Sequence, residues 1–173
     1  ILATGSRPIQ PFQNGSHLID STGALDLKSV PEKLLVIGGG YIGLEMSSVY
    51  AALGSQVTIV EMMDGLLTGV DRDLVRPLQH RIKNQFEAIL LNTKVGEIKQ
   101  VESKTHVTLE NESGTEQTIF DRILVSVGRR PNTDGLGLEN TKVKLNEKGF
   151  VIADSQLKTS DSNISAIGDV IGG

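Results

Sequence analysis

Three glycines, Gly38, Gly40 and Gly43, form the pattern Gly-x-Gly-x-x-Gly, which can bind a diphosphate through backbone amides. The first glycine permits a tight turn, the second lets the backbone approach the diphosphate, and the third lets a helix pack closely on a strand. The diphosphate would lie over the N-terminus of that helix, where free amides and the helix dipole favour an anion. The spacing therefore predicts a dinucleotide site; a turn that serves only packing is the competing interpretation.

An acidic side chain, Glu61, stands roughly 20 residues beyond this motif, where dinucleotide-binding folds place an acid. A carboxylate there can accept hydrogen bonds from both hydroxyls of the adenosine ribose, and it would repel a 2′-phosphate. Met62 and Met63 follow, which offers adenine an apolar contact and the extra phosphate of NADP no arginine. The charge of Glu61 therefore predicts NAD rather than NADP, the alternative being a solvated strand end.

Other side chains that could take part in chemistry have competing interpretations. Tyr41 is either a core aromatic or a lid over the nicotinamide, and Glu45 is either a solvated helix residue or a nicotinamide contact. His17, His80 and His106 have no acidic or cysteine partner at a meaningful spacing and are interpreted as surface residues. Because the chain contains no cysteine, a thiolate metal site and internal dithiol chemistry are excluded, and no metal site is predicted.

The elements that must position the motif follow from the hydrophobic pattern. Continuous apolarity over 34–37 predicts a strand that is buried on both faces of a parallel sheet, and the β-branched run at 56–61 predicts a second strand. A helix between them would end at Gly54 and complete a βαβ unit. Its predicted apolar face consists of Ile42, Met46, Val49, Tyr50 and Leu53.

A second helix and the remaining strands are predicted further along the chain. Asp71 is a candidate N-cap, and Pro77 predicts a late start or a kink near Arg76. The apolar face of this helix would carry Leu74, Leu78, Ile82 and Phe86. The strand predictions are a third parallel strand at 88–91, an antiparallel meander at 95–101, 105–110 and 117–120, a return to the parallel sheet at 122–127, a loop at 129–133, and short strands at 150–153 and 163–167.

These elements define the predicted fold class, which is α/β. We expect a Rossmann-like three-layer domain with a central parallel sheet, a helix layer and an antiparallel β-meander. The formal net charge is −4, and the sequence has no cluster of basic residues that could neutralise a run of phosphates. No nucleic acid partner is therefore expected. No stretch approaches the roughly 20 apolar residues that span a bilayer. We therefore expect no membrane partner and a cytoplasmic domain. Because the chain opens at Ile1 without a methionine and stops at Gly173, we also expect it to be cut at both ends from a longer protein.

Several runs together closely resemble the bacterial dihydrolipoamide dehydrogenases of the pyridine nucleotide-disulfide oxidoreductase family. These runs are ATGSRP at 3–8, DSTGALDL at 20–27, VPEKLLVIGGGYIGLEMSSVYAALGSQVTIVEMMDGLL at 30–67, VSVGRRPNT at 125–133 and ISAIGDV at 164–170. The resemblance covers the whole chain. It implies an NAD-binding domain at 21–150, with flanks that belong to the FAD domain at 1–20 and 151–173.

The resemblance also implies which residues contact the cofactors. The glycine motif and the residues up to Glu45 would wrap the NAD phosphates and the nicotinamide end, and Val95 would contact adenine. Asp169 resembles the acid that binds the ribityl chain of FAD. The full candidate set is Gly38, Gly39, Gly40, Tyr41, Ile42, Gly43, Leu44, Glu45, Glu61, Met62, Val95, Val127, Gly128 and Asp169.

The function implied by the resemblance is to position nicotinamide for hydride transfer from reduced flavin while the parent enzyme oxidises dihydrolipoamide. FAD would be bound only by the full-length protein. The partners of that protein would be a second copy in a homodimer and the lipoyl domains of 2-oxo-acid dehydrogenase complexes. The family's cysteine pair and His-Glu pair lie outside this sequence, so no catalytic residue is assigned. We expect the chain alone to bind NAD(H) weakly, to turn over nothing and to retain no flavin.

Two alternatives remain at this point. The chain could be the NAD(P)H-binding domain of another flavoprotein disulfide reductase or of an NADH oxidase. Tyr41 favours a glutathione-reductase-like parent, whereas Glu61 opposes it because those enzymes prefer NADPH. A non-catalytic Rossmann-like binding module, in which the glycines serve only packing, is the alternative from another class.

Overall fold

Two compact units make up the chain in the computed structural model, which describes residues 1–12, 15, 17–26 and 28–172. The larger unit comprises Gln10–Gly128, and the smaller comprises Ile1–Ile9 with Arg129–Gly173. These limits differ from the predicted boundaries at 20/21 and 150/151. Parts of the predicted segments, namely Gln13, Asn14, Ser16, Leu27 and Gly173, lie outside the described residues. Which cofactor each unit serves stays a prediction.

A five-stranded parallel sheet forms the centre of the larger unit. In spatial order its strands are β2 (Leu18–Ile19), β9 (Arg122–Val125), β3 (Lys33–Ile37), β4 (Gln56–Val60) and β5 (Ala88–Leu90). All pairs are parallel, with Ile37 opposite both Val60 and Val125. The last four residues of β3 and of β4 are buried, as expected for strands covered on both faces. The predicted sheet is confirmed, although the strand that begins at Arg122 ends at Val125 rather than at Val127.

The helix that follows β3 is α2 (Tyr41–Ala52), and a short helix, α1 (Ser21–Leu25), lies between β2 and β3. The predicted face of α2 is wrong in part, because Val49 and Leu53 are exposed. Its buried residues are Gly43, Leu44, Ser47 and Tyr50. The reason is steric, since the absence of a side chain at Gly43 lets the helix backbone approach the turn on that side.

Helix α3 (Arg72–Ile82) begins directly after Asp71, as predicted, although the Asp71 side chain makes no capping hydrogen bond. It continues through Pro77, so the predicted late start is wrong. The predicted apolar face is also partly wrong, because Val75 is buried whereas Leu74 and Leu78 are exposed. No helix within the described ranges is both long and apolar enough to cross a membrane.

An antiparallel three-stranded sheet forms the third layer, which confirms the predicted meander. Its strands are β6 (Lys94–Val101), β7 (Lys104–Asn111) and β8 (Gly114–Phe120), and β8 begins earlier than predicted. Two apolar clusters join the layers. One packs Leu34 and Val36 of the parallel sheet against the helices, and the other packs Leu35 and Ile37 against the meander. The α/β three-layer fold class is therefore as predicted.

The smaller unit contains a two-stranded antiparallel sheet of β1 (Ser6–Pro8) and β10 (Arg129–Pro131). The predicted loop at 129–133 is therefore wrong over its first three residues. The strands predicted at 150–153 and 163–167 do not form continuous ladders, because their partners change along the chain. Four isolated bridges occur instead, namely Leu2↔Ala166, Leu145↔Val151, Ala153↔Thr159 and Lys158↔Ser165. Short 3-10 helices lie at Leu138–Asn140 and Gly168–Ile171.

Asp121, just before β9, ties the meander to the parallel sheet. Its carboxylate accepts a hydrogen bond from the Lys104 ammonium and another, at 2.8 Å, from the backbone N–H of Lys33. Burial by itself raises the pKa of Asp121, but the hydrogen bonds and the charge of Lys104 outweigh it and hold that pKa below its usual value. The same contact raises the pKa of Lys104.

Replacing the Asp121 carboxylate should make the free energy of unfolding less dependent on pH in the acidic range. Because the pKa of Asp121 in the folded state lies below the unfolded value of about 3.9, its contribution is complete above that pH and is lost as pH falls through the lower folded-state value. We expect Asp121→Asn to lower the free energy of unfolding by about 1.5 kcal/mol at pH 7. Urea titrations of both proteins at pH 7 and pH 2.5 should show this difference shrinking at the lower pH.

The matched control is Glu116→Gln, which neutralises an exposed acid on β8. It should leave the unfolding midpoint unchanged at pH 7. An Asp121→Asn difference that is equally large at both pH values would contradict the role of the ionised carboxylate.

Candidate dinucleotide site

The turn between β3 and α2 has a shape that only small residues permit. Gly38 has φ of +109°, where a side chain is strained, and a Cβ there would lie 2.5 Å from the carbonyl oxygen of Ser126. A Cβ on Gly43 would lie 2.1 Å from the carbonyl oxygen of Gly38. A Cβ on Gly40 would instead meet no described atom within 4 Å. The first and third glycines therefore serve the turn and its packing, and the space beside the second is open.

The N-terminus of α2 faces this open space. Gly40 is the N-cap residue and provides no side-chain cap, and the N–H of Leu44 makes the first intrahelical bond, to the carbonyl of Gly40 at 3.0 Å. The backbone N–H groups of residues 41–43 therefore have no acceptor within the helix, and they lie at the positive end of the helix dipole. This arrangement suits a bound diphosphate, the group that the motif predicts.

Glu61 follows β4 and is directed at the glycine turn rather than into solvent. Its Oε2 accepts the N–H of Gly39 at 2.7 Å, and its Oε1 accepts the N–H of Met63 at 2.8 Å. The Glu61 carboxylate is thus bonded to the turn and is not a freely solvated strand end, whereas its contact with a ribose stays a prediction. Each carboxylate oxygen has more than one acceptor site, so both can accept further hydrogen bonds from a ribose.

Gly39 has a different role from the one that the motif suggested. Its N–H is bound to Glu61, and its carbonyl oxygen accepts the N–H of Leu67 at 2.9 Å. The predicted contact of Gly39 with the nucleotide therefore has no free backbone donor in this structure. The diphosphate is left to the amides of the first turn of α2.

The other residues predicted around the turn differ in exposure. Tyr41 is 64% exposed, which excludes a core aromatic and leaves the lid interpretation. Glu45 is exposed and Ile42 is half-buried, whereas the side chain of Leu44 is in the core. Tyr41 and Glu45 are thus free to meet a ligand, and Leu44 is available only through its backbone.

The residues predicted for the two ends of the nucleotide also differ in exposure. Met62 is 62% exposed beside Glu61, and Val127 is 41% exposed after β9. Gly128 follows with φ of +126°. Val95 is half-buried and packs against the cluster between the two sheets, so its side chain is largely used by the core.

Sequence reasoning missed Ser126, which lies under the glycine turn. Its hydroxyl oxygen is 3.0 Å from the carbonyl oxygen of Ile37 and 3.3 Å from that of Gly38. The only available signal was the position of Ser126 after an apolar strand and before Gly128. The structure adds this serine to the residues that hold the turn.

Asp169 belongs to the smaller unit and is described there. Its Oδ2 accepts a hydrogen bond from the Ser6 hydroxyl at 2.7 Å, and Nε of Arg129 lies 3.8 Å away. The Asp169 side chain is 64% exposed. Its other oxygen is therefore open to a hydroxyl donor, which suits the predicted contact with a ribityl chain.

The histidines form no site with acidic neighbours. Throughout residues 1–12, 15, 17–26 and 28–172, no group of three or more His, Cys, Asp and Glu residues could hold a metal ion. His80 is exposed, whereas His17 and His106 are half-buried rather than fully at the surface. Nδ1 of His17 lies 2.9 Å from Oε1 of Gln100.

Comparison with known proteins points to one family. The family profile described as pyridine nucleotide-disulphide oxidoreductase matches residues 1–173. The chain is 45% identical over 176 residues to a dihydrolipoyl dehydrogenase from Staphylococcus aureus and 43% identical over 176 residues to one from Vibrio cholerae. The alignments cover 100% and 99% of this chain but 37% of each relative. The chain thus spans little more than a third of the length of these curated relatives.

A solved structure shows the same fold. The chain is similar to the HOCl-induced flavoprotein disulfide reductase RclA from Escherichia coli, with a TM-score of 0.84 and 37% identity. The match covers 98% of this chain and 39% of that one.

Alanine substitutions should distinguish Gly43, which is needed for close packing, from Gly40, which lies beside open space. We expect Gly43→Ala to lower the free energy of unfolding by about 3 kcal/mol, because its Cβ collides with backbone. This loss exceeds the gain of about 1 kcal/mol that alanine brings inside a helix. The matched change Gly40→Ala should cost less than about 1 kcal/mol, since only the N-cap preference is affected. Thermal and urea unfolding measure both, and equal losses would contradict the geometry.

Proposed function

This chain belongs to the pyridine nucleotide-disulphide oxidoreductase family, whose members here are flavoprotein oxidoreductases, and from that premise we propose that it is the NAD(H)-binding part of a dihydrolipoyl dehydrogenase. The observation that supports the proposal most strongly is the carboxylate of Glu61, held at the glycine turn by the N–H groups of Gly39 and Met63. A fixed negative charge at that place suits a ribose without a 2′-phosphate.

In the proposed complex, each part of the turn has one task. The amides of residues 41–43 bind the diphosphate, and the open side of Gly40 gives it room. Glu61 accepts hydrogen bonds from the adenosine ribose. Met62, which is exposed beside it, provides an apolar contact for adenine. The protein thus fixes the adenosine half, and the diphosphate directs the other half towards the helix N-terminus.

The nicotinamide end would lie near Tyr41, Glu45, Val127 and Gly128. When bound, NAD⁺ supplies the hydride acceptor, and the flavin of the full-length protein supplies the hydride. Tyr41, which is exposed beside the turn, would cover the nicotinamide ring and exclude water from it. The chain has no cysteine and contributes no thiol to the reaction. Its own contribution is therefore orientation and exclusion of water.

Asp169 extends the proposal to the full-length protein. A carboxylate fixed by Ser6 through one oxygen can accept a ribityl hydroxyl of FAD through the other. We further propose that the full-length protein acts in the cytoplasm as a homodimer and serves the lipoyl domains of a 2-oxo-acid dehydrogenase complex. These statements rest on the dihydrolipoyl dehydrogenases to which the chain is similar.

A second candidate is the nucleotide-binding part of another flavoprotein disulfide reductase or of an NADH oxidase. The similarity to the Escherichia coli reductase at 37% identity favours it, as does the exposed Tyr41. The carboxylate of Glu61 opposes an enzyme that prefers NADPH. A non-catalytic binding module is the least supported alternative, because the relatives are enzymes.

Nucleotide-dependent stabilisation should distinguish these candidates. NADH at 100 times its dissociation constant should raise the free energy of unfolding by about 2.7 kcal/mol, and NADPH at the same concentration should raise it far less. Glu61→Gln removes the charge with little change in shape, and we expect about tenfold weaker NADH binding, equivalent to about 1.4 kcal/mol. The same change should reduce the preference for NADH over NADPH. Calorimetric titration and thermal unfolding measure these effects.

Glu112→Gln, at an exposed acid between β7 and β8, is the matched control and should bind both nucleotides as the unchanged chain does. No stabilisation of the unchanged chain by NADH would favour the non-catalytic module. Equal stabilisation by NADH and NADPH would contradict the charge argument and favour the second candidate.

A further inference from the structure

One guanidinium group holds the segment that follows Glu61, residues 62–71. Nη1 of Arg72 donates to the carbonyl of Leu66 at 2.9 Å, and Nη2 donates to those of Leu67 at 2.7 Å and Val70 at 2.8 Å. Nε also donates to Val70, at 3.2 Å. All four hydrogen bonds go to backbone carbonyls of the segment. A planar fork of charged donors suits this task, because it fixes several acceptors in one geometry.

The position of Gly65 indicates independently that the guanidinium packs against the segment. A Cβ on Gly65 would lie 2.9 Å from Nη1 of Arg72. A side chain at this position would therefore take space that the guanidinium occupies. Gly65 gives Arg72 its place on the backbone.

The segment is in turn bonded to the glycine turn. The N–H of Leu67 donates to the carbonyl of Gly39 at 2.9 Å, while the carbonyl of Leu66, which belongs to the same peptide, is bound by Arg72. Leu67 has φ of +51°, a left-handed conformation that a leucine keeps only when its surroundings impose it. Leu66 is buried and lies against Gly39, where a Cβ would be 2.6 Å from its Cδ2. Arg72 and Gly39 thus hold opposite sides of one peptide.

These contacts join Arg72 to the predicted adenosine site without direct contact with the nucleotide. Gly39 is bonded on its N–H side to Glu61 and on its carbonyl side to Leu67, so the acid and the segment share one anchor. Met63, the neighbour of Met62, is bonded to the same carboxylate. A displacement of the segment would therefore move Glu61 and the methionines together.

We propose that Arg72 is a positioning residue that sets the affinity for the adenosine half of NAD(H) by holding residues 62–71 on the glycine turn. The inference rests on the proposed function, because it assumes that the adenosine ribose binds at Glu61. The guanidinium of Arg72 already donates four hydrogen bonds to backbone carbonyls of the segment, so Arg72 does not act as an anchor for a 2′-phosphate.

The test compares Arg72→Gln with Arg76→Gln, which removes an exposed arginine one turn later on α3. The probes are NADH, ADP-ribose, and reduced nicotinamide mononucleotide, which lacks the adenosine half. We expect Arg72→Gln to weaken binding of NADH and ADP-ribose five- to tenfold and to change binding of the mononucleotide less than twofold. Arg76→Gln should change none of them. Arg72→Lys should restore affinity only in part, because one ammonium does not span three carbonyls.

A second measurement is independent of the nucleotide. Amide hydrogen exchange at Leu67 should become at least fivefold faster in Arg72→Gln, because the Leu66–Leu67 peptide loses the hydrogen bond to its carbonyl. Gly65→Ala keeps the charge of Arg72, but the guanidinium must shift because the new Cβ would lie 2.9 Å from Nη1. It should change both binding and exchange in the same direction as Arg72→Gln but by less, and it is the second variant if Arg72→Gln fails to fold.

The outcomes separate this inference from the proposed function. If the unchanged chain binds NADH, and both variants keep its affinity and its Leu67 exchange rate, the inference is wrong and the proposed function stands. If all three probes weaken equally, Arg72 has only a general structural role and the inference is overturned. If the unchanged chain binds neither NADH nor ADP-ribose, the proposed function fails, and the inference fails with it.

Discussion

The parallel register of β3 and β4 is the constraint on which the candidate site depends. Because Ile37 lies opposite Val60, the two strands end together at one edge of the sheet. The residues that follow them therefore meet, and the N–H of Gly38 donates to the carbonyl of Val60 at 2.9 Å. A shift of one residue in this register would point Glu61 away from Gly39 and break the hydrogen bond between them. The βαβ connection and the acid at its end therefore form one structural unit, because the strand register fixes the position of Glu61.

The second constraint is the close approach of α2 to the turn. Gly43 permits this approach, and a second small residue, Ser47, is buried one turn later on the same helix. Ser47 is fully buried, and its hydroxyl has no hydrogen-bond partner among the described residues. Burying an unpaired hydroxyl is unfavourable, so the close helix packing here offsets a polar cost. Steric fit thus decides which side of α2 faces the core.

These constraints explain how much of the fold and the site could be predicted from the sequence. Continuous apolar runs identified the strands of the parallel sheet, since a strand covered on both faces has few polar positions. The position of Glu61 was readable because motif and acid lie within one βαβ unit. The pairing of β10 with β1 was not readable, because its partner is distant in the sequence. The hydrogen bonds of Arg72 were hidden too, since their acceptors are backbone carbonyls, which every residue has.

The pairing of β1 with β10 has a consequence for the order in which the chain folds. Pro8 lies opposite Arg129, so the smaller unit forms only after the ribosome has made both strands. Everything from Gln10 to Gly128 is available earlier. Joining distant strands across an unstructured loop costs entropy that rises with loop length. If the intervening unit folds first, most of that loop is already ordered, and nascent-chain folding is expected to proceed from the middle of this sequence outwards.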